Sequence, residues 1–197
     1  NLEEESVMSS KKKKLLIASV VLILLFTLSS IAFLTSRAVS DNVITFGNLK
    51  LKLINNTIDK EGMEVPVEQL EEKLTGTSVS RIIKVKNICE NPMYVRVKVE
   101  IKGEDEQGGF SANEYVSFKT PDSGWSSQSQ WFYYTKELKA GQETSDLFRE
   151  LQFDLDRLMT DHAGSKLTFK VSAQAVQSEN NGMSAEEAKG WPQEAEK

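Results

Sequence analysis

Tyr94-Val95-Arg96-Val97-Lys98-Val99-Glu100-Ile101 decides the fold. Apolar and charged residues alternate through the whole stretch, the period-two pattern of a β-strand with one buried face. That pattern places Val95, Val97, Val99 and Ile101 inward and Arg96, Lys98 and Glu100 toward solvent. An α-helix would scatter the same four apolar residues around its axis, because positions two apart lie on different sides of a 3.6-residue turn.

The neighbouring sequence repeats the pattern. Val79-Ser80-Arg81-Ile82-Ile83-Lys84-Val85-Lys86-Asn87 reads as a second strand, and Asn91-Pro92 signals a turn, so the two are expected as consecutive strands joined across residues 88–93. Upstream, Leu49-Lys50-Leu51-Lys52-Leu53 alternates strictly and Asn55-Asn56 marks its turn. Residues 57–77 are charged and contain Pro66, with Val67, Leu70 and Leu74 at helical spacing, which predicts a short surface helix over 68–74. Downstream, 103–109 reads as a charged, glycine-containing loop, Val116-Ser117-Phe118 as a short strand and 121–130 as turn-rich sequence. Trp131-Phe132-Tyr133-Tyr134 is an aromatic strand, and Leu151-Gln152-Phe153-Asp154-Leu155 alternates as the next. The last strand, over 167–176, puts Leu167, Phe169, Val171, Ala173 and Ala175 on one face. Short strands with turn signals between them, and no long helical pattern after residue 37, call for an all-β protein: an antiparallel β-sandwich. Strand count alone does not separate the sandwich families.

Composition narrows the function. The chain has 197 residues and a net charge of -5, and nucleic acid is excluded as a partner because phosphate binding needs clustered basic charge. Cys89 is the single cysteine, so no disulfide forms within the chain. A membrane-crossing chain that avoids disulfides fits a bacterial surface protein better than a small disulfide-stapled domain.

The N-terminus sets the compartment. Residues 1–7 are acidic, whereas Met8-Ser9-Ser10 followed by Lys11-Lys12-Lys13-Lys14 makes a basic leader, so Met8 is the better start; a short acidic extension of no consequence is the other reading. Residues 15–36 carry no charge, and as a helix they would reach about 33 Å, enough to span a bilayer. Length therefore permits a retained anchor over 15–36. Composition favours cleavage, since the apolar run thins into Ser29-Ser30-Ile31-Ala32, with Ser30 and Ala32 as the small residues a signal peptidase needs before Phe33. Ser36 and Ala38 are the second choice. Past the first cut lies an arm, Phe33-Leu34-Thr35-Ser36-Arg37-Ala38-Val39-Ser40-Asp41-Asn42, leading into strand-forming sequence.

These residues carry a resemblance. The basic leader, the apolar run, Ala32-Phe33-Leu34-Thr35 and then Asn42 through Thr45-Phe46-Gly47-Asn48-Leu49 together resemble the TasA/camelysin family, exported Gram-positive proteins cut by a dedicated signal peptidase of SipW type. A strand ending in Lys86-Asn87, a short polar connection and Tyr94-Val95-Arg96-Val97 continue the likeness. So does the order of aromatic strand, Leu138, Gly141, Thr144 and Leu147. Arg37-Ala38 departs from it, since the family more often has Asp and Thr there. The resemblance implies cleavage at Ala32-Phe33 and a sandwich of jelly-roll type.

After 177 the composition changes. Asn180-Asn181-Gly182 turns the chain, Ser184-Ala185-Glu186-Glu187 opens a short helix by a capping box, and Gly190-Trp191-Pro192 ends it. An alanine-rich segment running into Gly-Trp-Pro is similar to clostridial-type members of the same exported class. The expected organisation is a signal peptide over 1–32, a free arm over 33–42, the β domain over 43–178, and a tail with a short helix over 179–197.

Candidate chemistry is sparse. His162 is the only histidine, whereas a zincin needs two, one helical turn apart with a glutamate between them, so His162 reads as a surface-loop residue. Cys89 has no histidine beside it in sequence to activate it. Asp154, Asp156 and Asp161 lack the glycine and further oxygen donors of a calcium loop. Trp131 to Tyr134 suits core packing with a rim tyrosine better than glycan stacking. No cofactor, metal or catalytic residue is expected, and the chain reads as a non-enzyme. The expectation is a secreted or cell-surface structural protein, a subunit of extracellular fibres or biofilm matrix that meets the membrane only during export. Its partners are copies of itself or a related fibre subunit, besides the signal peptidase. Assembly by donor-strand exchange of the arm is what the resemblance implies; the residues show only that the arm exists and is strand-compatible. A secreted camelysin-type metalloendopeptidase and a membrane-anchored monomeric surface-binding module are the two rivals.

Overall fold

The computed structural model describes residues 33–36, 43–46, 48–67, 70–73, 76–119 and 124–192. The expected signal peptide lies outside them. Among the described residues the chain is all-β and mostly antiparallel, arranged in three sheets.

The largest sheet is built on two long strands, β8 (Met93–Asp105) and β14 (Lys166–Gln177). They pair antiparallel along their length, from Lys166 opposite Glu104 to Gln177 opposite Met93. On the other edge of β8 lie β12 (Trp131–Tyr134), itself paired with β11 (Trp125–Gln128), and β9 (Gly108–Ser111). On the other edge of β14 lie β1 (Phe33–Ser36) and then β5 (Leu70–Lys73). A second sheet centres on β3 (Leu49–Ile58), flanked by β2 (Val43–Phe46), β4 (Glu64–Pro66) and β7 (Ile82–Asn87). The third joins β10 (Val116–Lys119), β13 (Glu150–Phe153) and β6 (Ser78–Ser80). All three contribute to one core, with Leu51 and Leu53 of β3, Val85 of β7, Val95, Val97 and Ile101 of β8, Leu151 and Phe153 of β13, and Leu167 and Phe169 of β14. Burial of this apolar face drives the folding.

Several local expectations are corrected. The stretch 79–87 is two strands that part at Arg81, β6 joining β13 and β7 joining β3. Arg81 itself is fully buried, its N–H donating to Arg149 O. Nor do β7 and β8 form a hairpin: the chain crosses from one sheet to another through 88–92. Asn55 and Asn56 do not turn, because β7 pairs β3 through both positions and overrides their turn propensity. The turn falls instead where Asp59 Oδ1 accepts from Glu61 N and Met63 N and Gly62 takes a φ of 82°. Residues 103–109 are a hairpin closed by the Asp105 carboxylate, which accepts from Gln107 N and Gly108 N. The segment 70–73 is a strand and not a helix, its backbone held against β1.

Leu155 opens helix α1 (Leu155–Asp161) where the pattern predicts strand, since Asp154 caps the helix by accepting from Arg157 N at 3.1 Å. The C-terminal helix shrinks to one turn, Ala188 N to Ser184 O. Glu187 reaches back to Met183 N as a capping box would, one residue early. The turn cannot lengthen because Asn181 binds Lys189 through both backbone groups. Finally, Lys98 does not face solvent: only 7% of it is exposed, beside Trp131. The outer face of this sheet has its own small cluster of Tyr94, Trp131, Tyr133, Val176, Ala185 and Ala188, closed by Trp191.

Candidate functional site

Phe33-Leu34-Thr35-Ser36, the first four residues of the expected arm, form β1 and stand in the sheet between β14 and β5. Phe33, the residue after the expected cut, opens the strand opposite Lys166, and Ser36 closes it opposite Phe169. On its far side Phe33 faces Lys73 and Ser36 faces Leu70. Among the described residues this is the one parallel pairing; every other pair is antiparallel. A parallel neighbour cannot be joined by a tight hairpin, and β2, β3 and β4 lie in sequence between β1 and its antiparallel neighbour β5. So β1 occupies its slot without being the hairpin continuation of β14 or β5. The remainder of the arm, Arg37 to Asn42, and the small residues Ser30, Ala32 and Ala38 lie outside the described residues. The last four residues of the alternative anchor over 15–36 are the strand β1, and the rest of that segment lies outside the described residues. Among the described residues no helix is long and apolar enough to cross a membrane.

His162 is not a free loop residue. It caps the C-terminus of α1, its backbone N–H donating to Leu158 O at 2.7 Å. Its ring stacks on Phe110 with centroids 3.5 Å apart and meets the Tyr115 ring edge-on at 5.7 Å. Nδ1 lies 2.7 Å from Asp105 Oδ2. That bond, followed by those from the Gln107 and Gly108 N–H groups, holds the Asp105 carboxyl below the ordinary carboxylate range. Behind it, Tyr115 Oη donates to Asp161 at 3.1 Å, and Arg157 bridges Glu114 and Asp161 while lying over the Tyr115 ring. Burial, followed by the Asp161 bond, pushes the Tyr115 phenol up. A carboxylate that orients an imidazole is half of a general-base arrangement. Here the imidazole is clamped between two rings and serves as a clasp between the β8–β9 hairpin and α1.

The other candidates disperse. Cys89 Sγ donates to Asn87 Oδ1 at 3.2 Å within the 88–92 crossing. Asp154 caps a helix and Asp161 binds Tyr115 and Arg157, while Asp156 is exposed. Among the described residues no group of three histidine, cysteine or acidic side chains is placed to hold a metal ion. In β12, Phe132 packs against the main core and Tyr134 lies in it, while Trp131 and Tyr133 face the outer cluster. There the Arg96 guanidinium lies 4.0 Å from the Trp131 ring and 4.6 Å from Trp191, and donates twice to Gln174 Oε1. Sequence reasoning did not find this stack, because its members stand on β8, β12, β14 and the tail. The one local signal was Trp131 and Tyr133 at spacing two.

No family model, curated protein or solved structure matches this chain.

Proposed function

We propose that the chain is an exported structural subunit that assembles head to tail into extracellular fibres or matrix, the arm of one copy entering the sheet of the next. The observation that carries this reading is the place of β1: a short strand, parallel to β14, inserted between two strands it does not continue. Withdrawing it would bare the backbone N–H and C=O groups of β14 over 166–169 and leave β5, which pairs with β1 alone among the described residues, without a neighbour. An unpaired strand edge is a template for an identical strand from a neighbour. Because arm and slot are different surfaces, the contact is heterologous and propagates instead of closing. Three sheets around one core suit the jelly-roll sandwich that the TasA/camelysin resemblance implies, and the leader sequence suits secretion after cleavage at Ala32-Phe33 by a dedicated signal peptidase.

The test is N-terminal sequencing of the exported protein joined to electron microscopy of the same material. The expected result is a mature start at Phe33, with filaments that vanish when 33–42 is deleted and return when a peptide of that sequence is fused to a carrier subunit. Material that begins at Phe33 yet stays monomeric at high concentration, alone and with related subunits, overturns the reading. Casein cleavage that requires metal and is lost in His162→Ala would replace it with the peptidase reading.

A further inference from the structure

After β14 the chain folds back as a strap over the outer face of the large sheet. Ala185 and Ala188 are buried there, and Trp191 meets Tyr133 edge-on with ring centroids 5.9 Å apart. Successive residues of β8 and β12 point to opposite faces of the sheet, so this cluster lies across the sheet from the main core. One side chain ties both ends of the strap together. Asn181 Nδ2 donates to Gln177 O at 2.9 Å and to Lys189 O at 3.0 Å, and Asn181 Oδ1 accepts from Lys189 N at 2.9 Å. Tyr94 Oη adds a weaker bond to Gly182 O at 3.3 Å.

The fastening residue is followed by glycine, and Asn181-Gly182 is the single Asn-Gly pair in the sequence. With no β-carbon at Gly182, the backbone nitrogen meets the least steric resistance in reaching the Asn181 carboxamide carbon. We propose that Asn181-Gly182 is a deamidation site whose conversion releases the C-terminal strap. The Gly182 nitrogen attacks Cγ of Asn181, forming the new N–C bond. The Cγ–Nδ2 bond breaks, and Nδ2 leaves as ammonia with the proton given up by the Gly182 N–H. Water then adds to one carbonyl of the five-membered imide and breaks one of its ring C–N bonds, leaving aspartate or isoaspartate. No oxidant or reductant takes part. Water reaches the site through a groove of about 460 Å³ lined by Asn48, Asn91, Gln177, Asn181 and Lys189.

In the closed strap the carboxamide is tied at both its N–H groups and its oxygen, which keeps it from swinging onto the Gly182 nitrogen. Conversion therefore waits on opening of the strap and then prevents its return. A carboxylate at 181 still accepts from Lys189 N, but its second oxygen faces the carbonyls of Gln177 and Lys189, acceptor against acceptor. Isoaspartate further lengthens the main chain in a turn already held at φ 58° for Asn180 and 84° for Gly182.

The full chain is aged in mildly alkaline buffer beside a sample held unfolded in urea, and conversion at each asparagine is followed by peptide mass spectrometry. Asn181 converts first among the asparagines, and at least about tenfold more slowly folded than unfolded, because opening must break three hydrogen bonds. Hydrogen exchange is then read on the aged chain and on Asn181→Asp. Protection of the Ala188 and Lys189 amides falls at least about tenfold, while Val97, Ile101 and Phe169 keep theirs. Equal conversion rates in the folded and unfolded samples overturn the latch. Undiminished strap protection in Asn181→Asp overturns the release, and loss of core protection along with the strap overturns its independence.

Discussion

Replacing Asn87 by alanine tests what holds the crossing between the two larger sheets. Asn87 ends β7 fully buried. Its Nδ2 donates to Asn91 O at 2.8 Å and to Leu138 O at 2.9 Å, and its Oδ1 accepts from Cys89 N at 2.9 Å. One carboxamide thus stands in for the hairpin bonds that β7 and β8 lack, tying the 88–92 segment to itself and to the chain at Leu138. Truncation removes these three bonds together with the weaker one from Cys89 Sγ, and leaves the Cys89 N–H without its acceptor, whereas Leu138 O keeps its bond from Met93 N. At about 1 kcal/mol for each of the three N–H bonds, with the thiol a weak donor, the loss is about 3 kcal/mol. With a urea dependence of about 2 kcal/mol per molar, the unfolding midpoint falls by about 1.5 M with an unchanged slope. Asn87→Asp keeps the shape and the Cys89 acceptor but sets an acceptor against two carbonyls, so it must cost at least as much. A midpoint shift below about 0.5 M in the alanine variant refutes the reasoning, and so does an aspartate variant more stable than the alanine one.

Two further outcomes follow from the clasp around His162. A β-carbon on Gly103 would lie 2.1 Å from Phe110 Cζ, so Gly103→Ala must push that ring off His162. Overpacking of this kind costs about 1–3 kcal/mol, a melting point lower by on the order of 5 °C; an unchanged melt means the ring moves freely. The second outcome concerns Asp105, whose carboxyl is depressed first by its bond with His162. A carboxyl depressed in the fold adds stability above its ordinary value of 3.8, and that stability fades as pH drops through the lowered folded value. Asp105→Asn loses this share, so its urea midpoint near neutral pH is lower and its decline into acid shallower than the parent's. Parallel acid declines would show that the bond contributes nothing.

Period-two alternation made the strands legible wherever a face is buried, as at Leu49 to Leu53 and Leu167 to Ala175. It could not tell which strand each one joins. Residues 79–87 look like one strand because nothing local shows the change of sheet at Arg81; burial against partners far along the chain decides that. Asn55 and Asn56 misled because pairing on β7 outweighs their local turn preference. Lys98 and Arg96 misled in a different way. Alternation shows that they share the face away from the main core, but not that Trp131 lies beside Lys98 or that Trp191 of the returning tail lies over Arg96. The clasp at His162 was illegible for the same reason: Asp105 and Phe110 come from one hairpin, Tyr115 from the next segment, and His162 from the end of a helix about 50 residues on. The arm was legible as strand-compatible sequence, whereas its slot beside β14 is a property of topology alone.

Under the proposed assembly, β1 makes the same kind of backbone bonds in its own sheet as it would in a neighbour's, so bond strength does not choose between them. The tether to β2 chooses: it gives β1 an effective concentration of the order of millimolar at its own slot, which a neighbour's arm must exceed. A long strand inserted in its own sheet would hold against that competition, and its departure would open much of the core. A strand of four residues at the end of β14 gives up few bonds on leaving, and β14 stays paired with β8 along its whole length meanwhile. The main core draws on β8, β14, β3, β7 and β13, which remain in place while the slot stands empty. Under the proposed assembly, a short strand parallel to one end of β14 is a form in which an arm can be held in the monomer and still be yielded to a polymer.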